Sequence, residues 1–230
     1  MAEPAWNGYL SASRIASLKV GAALKPYFLD LFPRIYQWSW DDNISSVAAQ
    51  ILVELTVFHS DKPDGFDAKE ARYCIRNMND RNREDVIFRL QQIGQQKDDS
   101  WVEHVIPFVE NIWPREIKFR TSSLVKSWLS LLHTTDDNFP KVLSVVRRHL
   151  VPIREGGNWL KQYKRKLNGG SSLSEIYPAH VLELIDAVIP NTTEDLPYGL
   201  AEILAIVEES DSTLSKDKRF RRLSGLIEQT

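Results

Sequence analysis

Only one cysteine occurs in the 230 residues, Cys74. That excludes an internal disulfide and any zinc site built from cysteines alone, and it fits a reducing cytosol. Long apolar runs are also missing, and no stretch approaches the ~20 uninterrupted apolar residues that a membrane helix needs. The start, MAEPAWNGYL, has no basic segment leading into an apolar run, so no secretory signal is expected. Neither sign of charge dominates. Lys and Arg total 29 and Asp and Glu total 31, which leaves no general electrostatic pull toward nucleic acid or anionic lipid. Strand signals are scarce as well. Ile44–Phe58 is rich in β-branched residues, but its length and the stripe Val47, Ile51, Leu55, Phe58 assign it to a buried helix. These shortages predict a soluble, cytoplasmic, all-α protein that makes no membrane contact.

The usual marks of catalysis are lacking too. No GxGxxG follows a strand, no GxxxxGK[ST] occurs, and the pairs Gly156–Gly157 and Gly169–Gly170 fall between helices. No serine or threonine sits in a GxSxG-like setting. His59, His104, His133, His149 and His180 are scattered over different helices, without an HExxH or a paired Cys/His spacing. His180 and Glu183 share a helix face, yet no second such pair joins them, so each histidine reads as structural. The expectation is a non-enzyme with no cofactor and no metal.

What the chain does have is a repeat. WVEHVIPFVENIWP (Trp101–Pro114), FPKVLSVVRRHLVP (Phe139–Pro152) and YPAHVLELIDAVIP (Tyr177–Pro190) follow one another at an offset of 38 residues. Each opens on an aromatic residue, runs through aliphatics at helical spacing and closes on an apolar–proline pair. The preceding stripes Val86, Ile87, Leu90, Ile93 and Leu124, Val125, Trp128, Leu131 are offset by the same 38 residues. In the third copy Gln162, Tyr163 and Lys166 weaken the stripe. Polar loops at Gln95–Ser100, His133–Asn138 and Asn168–Ser172 separate the two helices of each unit. A period of roughly 33 to 47 residues is typical of helix-pair solenoids, in which one hairpin cannot bury its own apolar face and stacks on the next. The spacing therefore predicts a HEAT-like helical-repeat solenoid with repeats of about 38 residues.

The punctuation agrees. Pro140 and Pro178 suit the first turn of a helix, where a missing N–H costs nothing. Ser100 with Glu103 has the pattern of a capping box. Pro107 falls inside its helix and predicts a kink or two short helices. Helices are expected near 9–20, 26–38, 44–58, 67–79, 83–95, 100–113, 121–133, 140–150, 157–167, 178–188, 196–209 and 215–228. Breaks at Asp61–Asp67 and Arg154–Asn158 are short. The organisation expected is one continuous solenoid, with N-terminal helices over 1–60, helix-pair repeats over 61–190 and capping helices over 191–230.

Two features remain for function. Lys161, Lys164, Arg165 and Lys166 crowd one helix, and Lys218, Arg219, Arg221 and Arg222 the last one, with Arg147, Arg148 and His149 as a further patch. Stacked, such helices could make a basic groove for phosphates. The acidic pairs Asp41–Asp42, Asp98–Asp99, Asp136–Asp137 and Glu208–Glu209 favour solvated helix faces instead. Of the seven tryptophans, Trp101, Trp113 and Trp128 fall on core phases of the repeat. Trp38 and Trp40 do not share one helix face, so one of them is a candidate protein contact, although inter-helix packing is the commoner use.

The run W-V-x-x-V-I-P-F-V-x-x-I-W-P (Trp101–Pro114), with Arg120–Ser122, Phe139–Pro140, Val151–Pro152, Tyr177–Pro178 and LPYGLAEIL (Leu196–Leu204), resembles a helical C-terminal domain of unknown function. That domain occurs in large bacterial anti-phage defence proteins, often behind a sirtuin-like NAD-consuming domain. The ending Ser215–Leu223 is similar to how such chains finish. The resemblance implies a sensing, assembly or regulatory role attached to an effector that lies elsewhere. No sirtuin-type glycine motif or catalytic histidine context has a counterpart here, so neither NAD hydrolysis nor any functional residue carries over. The expected partner is a protein or a covalently linked effector domain, with nucleic acid, held by the basic patches, as the alternative.

Overall fold

The computed structural model describes residues 42–61, 66–97, 99–115, 122–153, 157–166, 170–194 and 196–230. The helices expected at 9–20 and 26–38, together with Trp38 and Trp40, lie outside them. Among the described residues the protein is all-helical, and the one β feature is an isolated antiparallel bridge between Lys166 and Ser172. No helix among them is long and apolar enough to cross a membrane. The chain divides into two compact units, Met1–Ile117 and Lys118–Thr230. That division falls inside the span expected to carry the helix-pair repeats.

In the first unit, α1 (Asp42–His59) packs mainly on α3 (Asp80–Gly94), with α2 (Ala68–Asn77) beside it. Helix α2 starts where it does because the Asp67 carboxylate accepts from the amides of Lys69 and Glu70, and Glu70 reaches back to the Asp67 amide. Asn79 caps α3 in a similar way, accepting from Asn82 N. The α2–α3 corner is tied by Arg83, which donates to the carbonyls of Ile75 (3.2 Å) and Arg76 (3.1 Å) and pairs with Asp80 at 2.7 Å. The Ile75 carbonyl also accepts from the Met78 amide, and the Arg83 bonds add to the capping of carbonyls at the end of α2. Arg89 of α3 pairs with Glu54 of α1 at 2.5 Å.

The predicted helix over 100–113 is a π-helical turn, Trp101–Val105, running into α4 (Ile106–Asn111). Pro107 stands in the first turn of α4. It has no N–H to give to the carbonyl four residues back, and its ring would clash with that carbonyl, so the wider turn just upstream is where the helix accommodates it. The Ser100–Glu103 capping box does not form. Ser100 has helical backbone angles and makes no side-chain cap bond, because the helical path already begins before it.

The second unit holds α5 (Ser122–His133), α6 (Phe139–Val146), α7 (Lys161–Lys164), α8 (Leu173–Ile176), α9 (Pro178–Val188), α10 (Leu200–Ser210) and α11 (Lys218–Glu228). Short 3-10 turns occupy Asp136–Asn138, Arg147–His149 and Ser212–Lys216. Helix α9 is the centre of this unit and packs on α6, α8, α10 and α11. Its Val181, Leu182, Leu184, Ile185 and Val188 are buried against Leu200, Ile203, Leu204 and Val207 of α10 and Leu223 of α11, among others. The helix expected over 157–167 shrinks to the single turn α7. The chain bends out of helix at Arg165 and enters the bridge at Lys166, and a capping box between Ser172 and Glu175 starts α8 instead.

The repeat-phase residues are placed as follows. Val86, Ile87, Leu90 and Ile93 are buried, as are Leu124, Val125, Trp128 and Leu131. Trp101 and Phe139 are buried at the starts of their segments, whereas Tyr177 is half-buried as the N-cap of α9. The Phe139 and Tyr177 rings lie 6.0 Å apart, and the Tyr177 hydroxyl bonds to Asp137 at 3.3 Å. Trp113 and Trp128 are core residues.

Candidate functional site

The most organised surface feature in the second unit is a rim formed by α7 and the start of α10. Its foundation is Tyr163. The phenol is fully buried and donates to the Leu129 carbonyl on α5 at 2.8 Å, while Ser174 of α8 donates to the Tyr163 carbonyl at 2.9 Å. Burial holds this phenol protonated, its pKa well above the ordinary tyrosine value. One helical turn is thereby anchored on two neighbours, which holds up the lysines that face outward from it.

Lys161 stands 5.3 Å from the centroid of the Tyr198 ring, within cation–π range. Tyr198 is 64% exposed, yet its backbone is held, because its amide donates to the Gly157 carbonyl at 3.1 Å. Next comes Gly199, the N-cap of α10, at φ +91°, where L side chains are strained. A Cβ at Gly199 would also lie 2.9 Å from Glu202 Oε2 and 3.2 Å from Lys164 Nζ. Glycine is thus required by its backbone angle, while the tips of the Lys164–Glu202 ion pair rest close against it and could shift to admit a methyl group. Arg165 and Lys166 are exposed at the end of the rim.

The C-terminal basic cluster is spent differently. Arg222 pairs with Asp186 at 2.8 Å, bonds Asn191 Oδ1 at 2.7 Å, and reaches the carbonyls of Asp186, Ile189 and Pro190. It caps the end of α9, where a cation also meets the negative end of the helix dipole. Arg219 grips Asp217 at 2.7 Å, and that contact, with the Arg219 amide, holds the Asp217 carboxyl down at about 2. Lys218 and Arg221 are exposed. Lys218, Arg219 and Arg222 line one cleft of about 370 Å³, alongside Asp186 and Asn191. Of the further patch, Arg147 faces Glu183 at 3.8 Å and Arg148 donates to His149 at 3.1 Å.

The candidate ligands are dispersed. His104 lies against Phe58, with ring centroids 4.9 Å apart, and His180 against Tyr177. His133 is pushed below its ordinary pKa, first by burial. Burial, reinforced by Glu70, lifts the Cys74 thiol to about 12. Among the described residues no three His, Cys, Asp or Glu side chains are gathered to hold a metal. The Tyr198 rim was missed in the sequence because the chain elements that build it, 157–164 and 197–202, are far apart. The one available signal was the glycine between Tyr198 and an apolar helical stripe. No family model matches this chain, and no curated protein or solved structure matches it either.

Proposed function

We propose that this chain is a non-catalytic protein-interaction or sensing module, a HEAT-like helical repeat with units of about 38 residues, working within a larger bacterial defence protein or complex. The observation that carries the reading is the exposed Tyr198 ring, held on a fixed backbone with Lys161 beside it. Tyrosine is among the residues that dominate protein interfaces, and a ring carried on a hydrogen-bonded backbone has less freedom to lose on binding. Surface charge supports a protein partner over a phosphate backbone. Lys164, Arg219 and Arg222 are each matched by a carboxylate, from Glu202, Asp217 and Asp186. A partner of mixed charge can meet such pairs without breaking them.

The resemblance to defence-associated domains makes the natural partner an effector domain, in the same chain or a separate one. A photocrosslinking residue placed at 198 should trap that effector, whereas the same residue at Glu209, exposed on the other end of α10, should not. Equal trapping at both positions, or at neither, would remove the rim from the proposal. The second reading is a nucleic-acid-binding helical repeat, favoured by the convergence of Lys218, Arg219 and Arg222 on one cleft.

A further inference from the structure

We infer that His133 is a proton-operated latch on α7: protonation of its buried ring nitrogen releases that turn, and the rim lysines with it. The imidazole stands at the end of α5 and holds α7 at two neighbouring residues. Its ring meets the Tyr163 ring edge-on, with centroids 6.0 Å apart and an interplanar angle of 82°. It also hydrogen-bonds the Gln162 backbone. Tyr163 is the residue that anchors α7, through its bond to the Leu129 carbonyl at 2.8 Å. Lys161 and Lys164, in the same turn, make the contacts with Tyr198 and Glu202 that build the rim.

A proton upsets this contact. Neutral His133 keeps a bare lone pair on Nε2, which is buried and has no hydrogen-bond partner. The charged ring carries an N–H there instead. A buried donor on a cation, left without an acceptor, is much the costlier of the two. Among the described residues, the charged groups facing the ring are Arg165, at the end of α7, and Asp136, in the turn after α5. Tyr163 stays neutral, because burial raises its pKa well above the ordinary value. Arg165 repels an imidazolium from the α7 side, and the exposed Asp136 draws it to the α5 side. Burial is the largest influence and lowers the His133 pKa below its ordinary 6.5. The latch is therefore closed above about pH 6.5 and opens as pH falls toward the depressed value.

Acidification should then weaken partner binding, a consequence that rests on the rim being the contact surface. Hydrogen exchange on the full chain tests the latch without any partner, so its failure is distinct from a failure of crosslinking at 198. Exchange is read by mass spectrometry and corrected for the pH dependence of the intrinsic rate. Between about pH 7.5 and 5.5, protection over 157–166 should fall at least about threefold while protection over α9 holds. His133→Phe keeps a ring against Tyr163 and takes no proton, so its protection over 157–166 should not vary with pH. Two further variants keep His133 and guard against misfolding of the first. Arg165→Gln should move the midpoint of the change up in pH, and Asp136→Asn should move it down. The inference is overturned by protection over 157–166 that is equal at both pH values, or by a fall that α9 shares. A fall that persists in His133→Phe, or a midpoint that neither charge change moves, would overturn it as well.

Discussion

The Trp101 indole packs directly onto Gly94. A methyl group at Gly94 would lie 2.5 Å from ring atoms Cδ2 and Cε3. Alanine at a helical position ordinarily gains up to about 1 kcal/mol over glycine. Here the sign should reverse, because Trp101 is 4% exposed and has no room to withdraw. Gly94→Ala is expected to destabilise by roughly 1–3 kcal/mol through overpacking. Chemical denaturation decides it, and a more stable variant would mean that the indole does not rest there.

Tyr163 offers a second test on stability, this time polar. Tyr163→Phe leaves the ring in place and removes the donor to the Leu129 carbonyl. Leu129 lies inside α5 and its carbonyl keeps its helical partner, so the loss is one net hydrogen bond, about 0.5–1.5 kcal/mol. The melting temperature should fall, and the rim lysines on α7 should lose their fixed position. A variant that melts with the parent would show the carbonyl finding another donor.

Helix content was readable in the sequence wherever the apolar stripe was strong. Val86, Ile87, Leu90 and Ile93 are buried as their spacing predicts, and α9 begins at Pro178 and ends at Val188, the predicted bounds. The stripe failed at 157–167, where among the described residues Leu160 and Tyr163 carry the burial and the neighbouring lysines turn out. Ser100 misled for a related reason: a capping pattern needs an extended residue, and backbone angles are set by the preceding chain, not by the side chain. The basic clusters were legible as charge but not as ion pairs. Glu202 lies 38 residues after Lys164, and Asp186 lies 36 before Arg222, separations that no local pattern reports.

His133 makes stability depend on pH. Burial pushes its pKa below the ordinary 6.5, with Arg165 adding to the effect and the Gln162 backbone and Asp136 opposing it. The unfolded chain therefore binds the proton more readily. Stability from this group is complete above about pH 6.5 and is lost as pH falls toward the depressed folded value. The unfolding free energy of the parent should drop between pH 7 and 5 more steeply than that of His133→Gln. Parallel profiles would place the imidazole in water.

At the rim, two neighbouring substitutions should separate binding from folding. Tyr198→Ala removes an exposed ring and should shift stability by no more than about 0.5 kcal/mol. Gly199→Ala imposes a positive φ on an L residue and should cost roughly 1 kcal/mol or more. If Tyr198 is the contact residue, the first variant should lose effector association while melting like the parent. Association that survives in Tyr198→Ala would move the interface elsewhere.

The basic clusters distinguish a protein partner from nucleic acid. If Lys161, Lys164, Arg165 and Lys166 met phosphates together with Lys218, Arg219, Arg221 and Arg222, log K would fall by about 0.9 per neutralised phosphate for each tenfold rise in salt. The ion pairs argue for a shallower slope. Lys164, Arg219 and Arg222 already face Glu202, Asp217 and Asp186, and an incoming phosphate would have to displace those carboxylates. Arg222 would also have to release the end of α9. Labelled duplex DNA should thus bind weakly, on the order of 10⁻⁴ to 10⁻⁶ M at physiological salt. Reversing the charge of the exposed Arg165, Lys166, Lys218 and Arg221 should weaken that residual binding further and leave the melting temperature intact. Submicromolar binding that the reversal abolishes would put nucleic acid ahead of a protein partner.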